Sequence, residues 1–376
     1  MEVIINKEST YNNIIDQLRT LDQRTTILNI SRLKFNRFSI EQIVNIINTI
    51  PEQIKILDLG SYGSNFRLHK ERSKPELTHI YSAIGQKRLE QLITRGIYIN
   101  DNTTINELVE LIKLWPKTLK IFDLGDNEFY QRAPEDFEAI FTVSPPEATI
   151  LDLSLNKFER VSADKVSKIM TSIPSHFNTL IYSFWVKSNF DSASFSSNYP
   201  PIELKKVLTA IPKSITTLDL TYSDIHHLPT DYLSQLEGSL SSVTTFCLNA
   251  DAINKMSEEQ LDALTKMVPN AEKIVIKTSF DGEITTSPNI QYFEDKIEKQ
   301  AQNVARKITW ALSELESSTP KTSGHSARRA LPEDITEYTA GFFPRAEKIR
   351  KGIQDIRSKN VAKSEQDASL PPKPSK

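Results

Sequence analysis

Apolar residues recur along this chain at i, i+3, i+4 and i+7, and a proline usually follows the last of them. The pattern is plainest at Ile43, Ile46, Ile47 and Ile50 before Pro51, and at Leu108, Leu111, Ile112 and Trp115 before Pro116. It returns at Val166, Ile169, Met170 and Ile173 before Pro174, and at Leu204, Val207, Leu208 and Ile211 before Pro212. Such spacing puts four side chains on one face of a helix, and proline, with no N–H to donate, marks where that helix stops. Weaker copies run from Ile14 to Leu21, Leu77 to Ile84, Phe137 to Ser144, Leu233 to Leu240 and Leu261 to Val268, so nine helices are predicted.

Shortly after the helices come segments that alternate with period two: ILNIS from Ile27, ILDLG from Ile56, IFDLG from Ile121, ILDLS from Ile150, TLDLT from Thr217 and TFCLN from Thr245. These read as short strands. Their first core positions are Leu28, Leu57, Phe122, Leu151, Leu180, Leu218, Phe246 and Ile274, with a degenerate copy at Ile93. The steps between them are 29, 36, 29, 29, 29, 38, 28 and 28 residues. A period this regular is that of a solenoid. One unit cannot bury its own apolar face, so neighbours stack and pair their strands into one parallel sheet.

The strand frame L-x-x-L-x-L-x-x-N stands at Leu119, Phe122, Leu124 and Asn127, and at Ala148, Leu151, Leu153 and Asn156. Over residues 10 to 280 the chain thereby resembles the leucine-rich repeat, in the long, helix-bearing variety built like ribonuclease inhibitor. The resemblance implies an α/β leucine-rich-repeat solenoid, a horseshoe with a parallel concave sheet and a helical convex face, followed by a C-terminal helical segment. The wording IPKSITTLDLTYSDI from Ile211 and ATILDLSLNKF from Ala148 looks like that of the leucine-rich-repeat effectors that Legionella injects into host cells through its Dot/Icm type IV secretion system. That likeness implies a protein made in the bacterial cytoplasm without a signal peptide, translocated to the host cytosol by a C-terminal signal, and acting there as a monomer on a host protein.

Residues 1–24 are expected to form an N-terminal helical cap and 25–280 the solenoid. A long helix over 281–316, with its seam at Phe293, Ile297, Ala301, Val304, Ile308, Leu312 and Leu315, is expected to cover the last repeat. Residues 317–330 read as a linker, 331–358 as a further helical segment, and 359–376 as a disordered tail where a translocation signal would lie.

In a strand of form L-x-L the middle residue points away from the helices. That column reads Asn29, Asp58, Asp123, Asp152, Ile181, Asp219, Cys247 and Val275, and two positions further come the small residues Ser31, Gly60, Gly125, Ser154, Ser183 and Thr221. Asp58, Asp123, Asp152 and Asp219 are thus candidate partner-binding residues, an acidic stripe that would steer a basic partner into the groove. The competing reading is a solvated strand face in which Asp-x-small is repeat wording. The two long steps add loops between strand and helix. The first offers Arg67, His69, Lys70, Arg72 and Lys74; the second offers Trp185, Phe190, Phe195 and Tyr199, large aromatics of the kind that anchor interfaces.

Composition adds little that is specific. A net charge of −2 favours neither duplex nucleic acid nor an anionic membrane, and no apolar run approaches the length of a bilayer span. One cysteine, Cys247, cannot build a disulfide framework or a zinc cluster. Six scattered histidines and ten glycines match no metal-binding or phosphate-binding motif, so no metal, cofactor, catalytic residue or small-molecule substrate is predicted. Asp123 and Asp152 fall on adjacent strands, at the spacing of the two carboxylates of a retaining glycosidase, but an open sheet face offers no pocket to divide their pKa values. Some bacterial repeat effectors are ubiquitin ligases with a cysteine nucleophile after the repeats; no cysteine follows residue 280 here. Alternatives to a binding module are an enzyme or ligase-recruiting effector acting through the C-terminal helices, and a lipid or nucleic-acid binder. The last would use residues 321–376, which hold twelve Lys or Arg against seven Asp or Glu.

Overall fold

The computed structural model describes residues 1–5, 9–60, 72–95, 104–184, 186–187, 196–197, 199–277 and 288–317. Residues to Leu312 form one compact unit; of the second, Ser313–Lys376, the description covers the first few residues, where the last helix ends. The linker, helical segment and tail expected over 317–376 therefore lie almost entirely outside the described residues, as do positions 61–71, which hold Arg67, His69 and Lys70.

The strands are β1 (Glu2–Ile4), β2 (Ile27–Asn29), β3 (Ile56–Asp58), β4 (Gln91–Ile93), β5 (Ile121–Asp123), β6 (Ile150–Asp152), β7 (Thr179–Ile181), β8 (Val186–Lys187), β9 (Ser196–Ser197), β10 (Thr217–Asp219), β11 (Thr245–Asn249) and β12 (Lys273–Lys277). All but β8 and β9 pair in parallel in one ten-stranded sheet, ordered as in the chain. β8 and β9 make a small antiparallel pair within the second insert. The helices are α1 (Tyr11–Arg19), α2 (Ile40–Thr49), α3 (Lys74–Gly85), α4 (Ile105–Ile112), α5 (Pro134–Thr142), α6 (Ala163–Thr171), α7 (Pro201–Thr209), α8 (Thr230–Ser234), α9 (Ala250–Asn254), α10 (Glu258–Met267) and α11 (Pro288–Ser317).

The nine strands read from the periodicity are all present, and so are eight of the nine helices; the segment Leu233–Leu240, expected as a helix, holds only the end of α8, which stops at Ser234, and turns follow it. Helices α1, α2, α4, α6 and α10 start where the sequence offers a Ser or Thr side-chain cap, whereas α5, α7 and α8 follow Ala133, Pro200 and Pro229 and have none. Ser39 with Gln42, Thr104 with Glu107 and Ser257 with Gln260 close reciprocal capping boxes on α2, α4 and α10. The helices stop slightly earlier than expected, ahead of the prolines: α4 and α6 end at Ile112 and Thr171, while Trp115 and Ile173 are buried from the turn that follows.

Other elements differ from expectation, the β8–β9 pair among them. The segment 1–24, expected as a helical cap, opens with β1, which pairs with β2 through Val3 and Leu28. Three residues of strand carry too little alternation to be told from a loop. In β4 the core position is Leu92, paired with Leu57 and fully buried, whereas Ile93 lies on the opposite face beside Asp58. Helix α9 was not foreseen; Asn249 caps it by accepting the N–H groups of Asp251 and Ala252.

The core is a single cluster between the sheet and the helices, running from Ile5 and Ile14 to Phe293 and Ile297. Gly85 shows how closely neighbouring units approach, since a Cβ there would stand 2.1 Å from the Leu114 carbonyl oxygen. Helix α11 lies over the last unit. Ile290, Phe293 and Ile297 are buried, Tyr292 and Lys296 reach Asp262 at 3.0 Å, and Gln300 donates to the Val268 carbonyl.

Candidate functional site: the open face of the sheet

Leu28, Leu57, Leu92, Phe122, Leu151, Leu180, Leu218 and Phe246 point into the core, so the residues before and after them form the other face. In register across that face stand Asn29, Asp58, Ile93, Asp123, Asp152, Ile181, Asp219, Cys247 and Val275. Two positions earlier runs a half-buried row of Ile27, Ile56, Gln91, Ile121, Ile150, Thr179, Thr217 and Thr245.

The four aspartates share this face but are not a free acidic stripe. Asp123, Asp152 and Asp219 are 0%, 1% and 3% exposed. Each turns one carboxylate oxygen back to the chain. Oδ1 accepts the backbone N–H two residues on: from Gly60 to Asp58 at 2.8 Å, Gly125 to Asp123 at 3.0 Å, Ser154 to Asp152 at 2.8 Å and Thr221 to Asp219 at 2.9 Å. Asn29 does the same for Ser31, and Asn249 for Asp251. This is the turn that Asp and Asn side chains form with their own backbone, and it bends the chain out of each strand.

The small residues expected to leave room for a partner serve that turn and the spacing of the units. A Cβ on Gly60 would meet the Arg95 backbone at 2.8 Å, and one on Gly125 would stand 3.2–3.3 Å from the Asp123, Asp152 and Ser154 oxygens. Repeat wording has here a structural cause.

The second carboxylate oxygens of Asp123, Asp152 and Asp219 meet cations of the same chain. Arg95 follows β4 and crosses β5; its Nη2 lies 2.5 Å from Asp152 Oδ2 and its Nε 3.7 Å from Asp123 Oδ2, while the guanidinium sits 5.5 Å from the ring centre of Tyr222. Lys277, at the end of β12, crosses β11 and pairs with Asp219 Oδ2. Burial pushes the Asp123 carboxyl up to about 7, the Asp152 charge adds to the rise, and Arg95 opposes it. Asp58 is raised to about 6 by burial, against the pull of the Gly60 N–H and of the Arg95 charge. Cys247, on the same face, is pushed up to about 11, first by burial and then by the Asp219 charge. Among the described residues no group of three His, Cys, Asp or Glu side chains has the geometry of a metal site.

Beyond the strand ends, Asn156 ties two units together. Its Oδ1 accepts the N–H groups of Asn127 and Phe129, and its Nδ2 donates to the carbonyls of Leu124 and Leu153. The residues flanking Asn127 and Asn156, namely Asp126, Glu128, Leu155 and Lys157, take left-handed backbone angles with φ of 51–59°.

Of the insert aromatics, Trp185, Phe190 and Phe195 lie outside the described residues. Tyr199 does not stand out as an exposed anchor. It is 5% exposed, with its hydroxyl 2.6 Å from the Phe158 carbonyl and 2.5 Å from that of Val161, and its own carbonyl accepts from Tyr232. An equivalent staple occurs in other units: the turn between strand and helix leaves carbonyls open, and a side chain from the next unit caps them. Arg72 reaches Phe35 and Phe38, Lys165 reaches Tyr130, Gln260 reaches His226 and Leu228, and Asn289 of α11 reaches Ile253, Asn254 and Met256. Arg72 and Lys74 of the basic insert are thus engaged, the latter with Glu107 at 3.7 Å. Because Arg, Lys, Tyr, Gln and Asn all perform this task, no single residue type signals it in the sequence.

No protein-family model matches the chain, and no curated protein matches it. Among solved structures, the leucine-rich repeat-containing protein LegL7 from Legionella pneumophila is similar with a TM-score of 0.60 and 22% identity, covering 80% of this chain and 98% of its own. The C-terminal domain of tropomodulin from Caenorhabditis elegans is similar over 56% of this chain and 99% of its own, at 8% identity and a TM-score of 0.25. With its ten parallel strands, its helices on one side and the asparagine tie between units, the chain has the fold of a leucine-rich-repeat solenoid.

Proposed function

We propose that this protein is a binding module that holds another protein against the open face of its sheet, with the insert residues Trp185, Phe190 and Phe195 as further contacts, and that it works as a translocated bacterial effector or adaptor. The observation that carries the reading is the half-buried row Ile27, Ile56, Ile121 and Ile150, continued by Ile93 and Ile181 on the adjacent column. Residues of the sheet's inner face are consumed by the core; these isoleucines are left on the other side, on short strands held rigid by pairing on both flanks. Preformed apolar surface on a rigid sheet binds without the ordering cost of a loop. The repeat wording from Ile211 and Ala148, which looks like that of Legionella effectors, supports the effector role; no described helix is long and apolar enough to cross a membrane.

The aspartates contribute differently from a bare electrostatic stripe. Asp123, Asp152 and Asp219 shape and stiffen the face, while Asp58 remains available to a partner. Trp185, Phe190 and Phe195 stay in the contact set and Tyr199 leaves it. The test is affinity capture from host-cell lysate with the wild type, an Ile121→Lys/Ile150→Lys variant and a Trp185→Ala/Phe190→Ala/Phe195→Ala variant, each checked for folding by circular dichroism. A host protein lost from either variant supports the reading. The same proteins captured by all three would refute it.

A further inference from the structure

Two cations on the open face come back over one intervening strand to reach an aspartate. Arg95 passes from the end of β4 to Asp152 on β6, and Lys277 from β12 to Asp219 on β10. Arg95 also lies beside Asp123, so three of the four aspartates are neutralised within the chain. Asp58 on β3 is placed like the others, with Oδ1 on the Gly60 N–H, yet among the described residues no cation stands within ion-pair distance of it. The strands two places away on either side carry Asp123 on β5 and Glu2 on β1, both acidic. Around Asp58 stand the half-buried Ile27, Ile56 and Ile93, and at the sheet edge Ile4 is 49% exposed.

We infer that Asp58 is the seat for one arginine or lysine side chain of an extended basic and apolar segment in the bound protein. The inference rests on reading the open face as the binding surface, and it names the chemistry of what that surface takes. Arg95 and Lys277 show that the aspartates of this face are completed by a long-stemmed cation lying along the sheet. At Asp58 the stem would lie on Ile56 and Ile93 and the head would meet the second carboxylate oxygen. Glu2 adds to the negative charge at Asp58, and the Arg95 charge, which opposes it more strongly, acts from beyond ion-pair distance while its guanidinium is engaged with Asp152 and Asp123, so charge complementarity still favours a cation in contact with Asp58. Burial raises the Asp58 carboxyl in spite of the Arg95 charge, as for a carboxylate with no cation in direct contact.

The experiment is fluorescence anisotropy on the full chain with a labelled peptide of alternating leucine and arginine, and with the same peptide in which citrulline replaces arginine. The variants are Asp58→Asn, and Glu135→Gln on the exposed start of α5, which removes the same charge away from the sheet. The arginine peptide is expected to bind the wild type and Glu135→Gln alike, and Asp58→Asn on the order of tenfold more weakly, the scale of one charge-assisted hydrogen-bonded pair. Citrulline should abolish the difference between the wild type and Asp58→Asn. Wild-type affinity should fall between pH 7.5 and 5.5 as Asp58 takes up a proton, and that of Asp58→Asn should change less. Equal affinity for Asp58→Asn and Glu135→Gln, or no binding of the arginine peptide, overturns the inference. Should Ile56→Ala/Ile121→Ala weaken the peptide while Asp58→Asn does not, the surface stands and the seat falls; if neither weakens it, both fall. Circular dichroism melts separate lost binding from lost fold.

Discussion

Replacing Arg95 by methionine keeps most of its volume and removes the cation from two buried carboxylates. The side chain is 11% exposed, with Asp152 at 1% and Asp123 at 0%, so water cannot take over its role. Removing one partner of a buried ion pair costs about 3–5 kcal/mol, because the other charge is left uncompensated. Here the carboxylates can escape by taking up protons, and Asp123 is already held near 7. The loss at pH 8 should therefore lie at the lower end, about 3 kcal/mol, or about 5 °C in Tm for a unit of this size.

The pH dependence gives the sharper check. A carboxyl whose folded pKa is raised above its unfolded value binds more protons folded than unfolded, so stability falls as pH rises from the unfolded pKa near 4 to the folded one near 7, then levels off. In Arg95→Met the folded pKa rises further and the decline extends to higher pH. The deficit relative to wild type is therefore largest at pH 8 and smaller at pH 5.5. Urea unfolding followed by circular dichroism at both pH values measures it, and Arg95→Met/Asp152→Asn should recover part of the loss. A deficit below about 1 kcal/mol at pH 8, the range of an exposed pair, or one equal at both pH values would refute the argument.

Gly85→Ala should cost about 2–3 kcal/mol in the same unfolding assay, because its Cβ would meet the Leu114 carbonyl, a backbone atom that moves only if the next unit does; wild-type stability would show that the units do not approach so closely. Asn156→Ala leaves the buried N–H groups of Asn127 and Phe129 and the carbonyls of Leu124 and Leu153 without their partner, a loss of about 3 kcal/mol with hydrogen exchange accelerated at Asn127 and Phe129. Cys247, with its thiol pushed up to about 11, should react with iodoacetamide at pH 8 about a hundredfold more slowly than an unfolded thiol, and at the ordinary rate in urea. Rapid labelling of the native protein would contradict its burial.

The helices and strands were legible because both are local patterns. The run Ile43, Ile46, Ile47 and Ile50 makes one apolar stripe whatever it packs on, and alternation such as Ile56, Leu57, Asp58 and Leu59 makes a strand whose two faces are already assigned. Recurrence of that pair of patterns then requires stacking. Where the signal was weakest, at β4 and β1, register and existence were decided by pairing with the neighbouring strand: Leu92 is the core residue because it faces Leu57.

The candidate site was legible in its residues and not in their state. The sequence placed Asp58, Asp123, Asp152 and Asp219 in one column, as the strands have them, but a column of carboxylates has the same wording whether it is open or neutralised. The cations that decide the matter sit 57 residues before Asp152, at Arg95, and 58 residues after Asp219, at Lys277, offsets that correspond to two units in opposite directions. Tyr199 reads the same way on paper as an interface aromatic, and only the carbonyls of Phe158 and Val161, 41 and 38 residues earlier, fix it inside. By itself the sequence determined the repeating unit, its two layers and, outside β4, the face that each strand residue takes, since those follow from periods of 3.6 and 2 along the backbone. Tertiary structure decided which of the polar groups on that face are satisfied by the chain, because their partners come from other units, through contacts that no local period encodes.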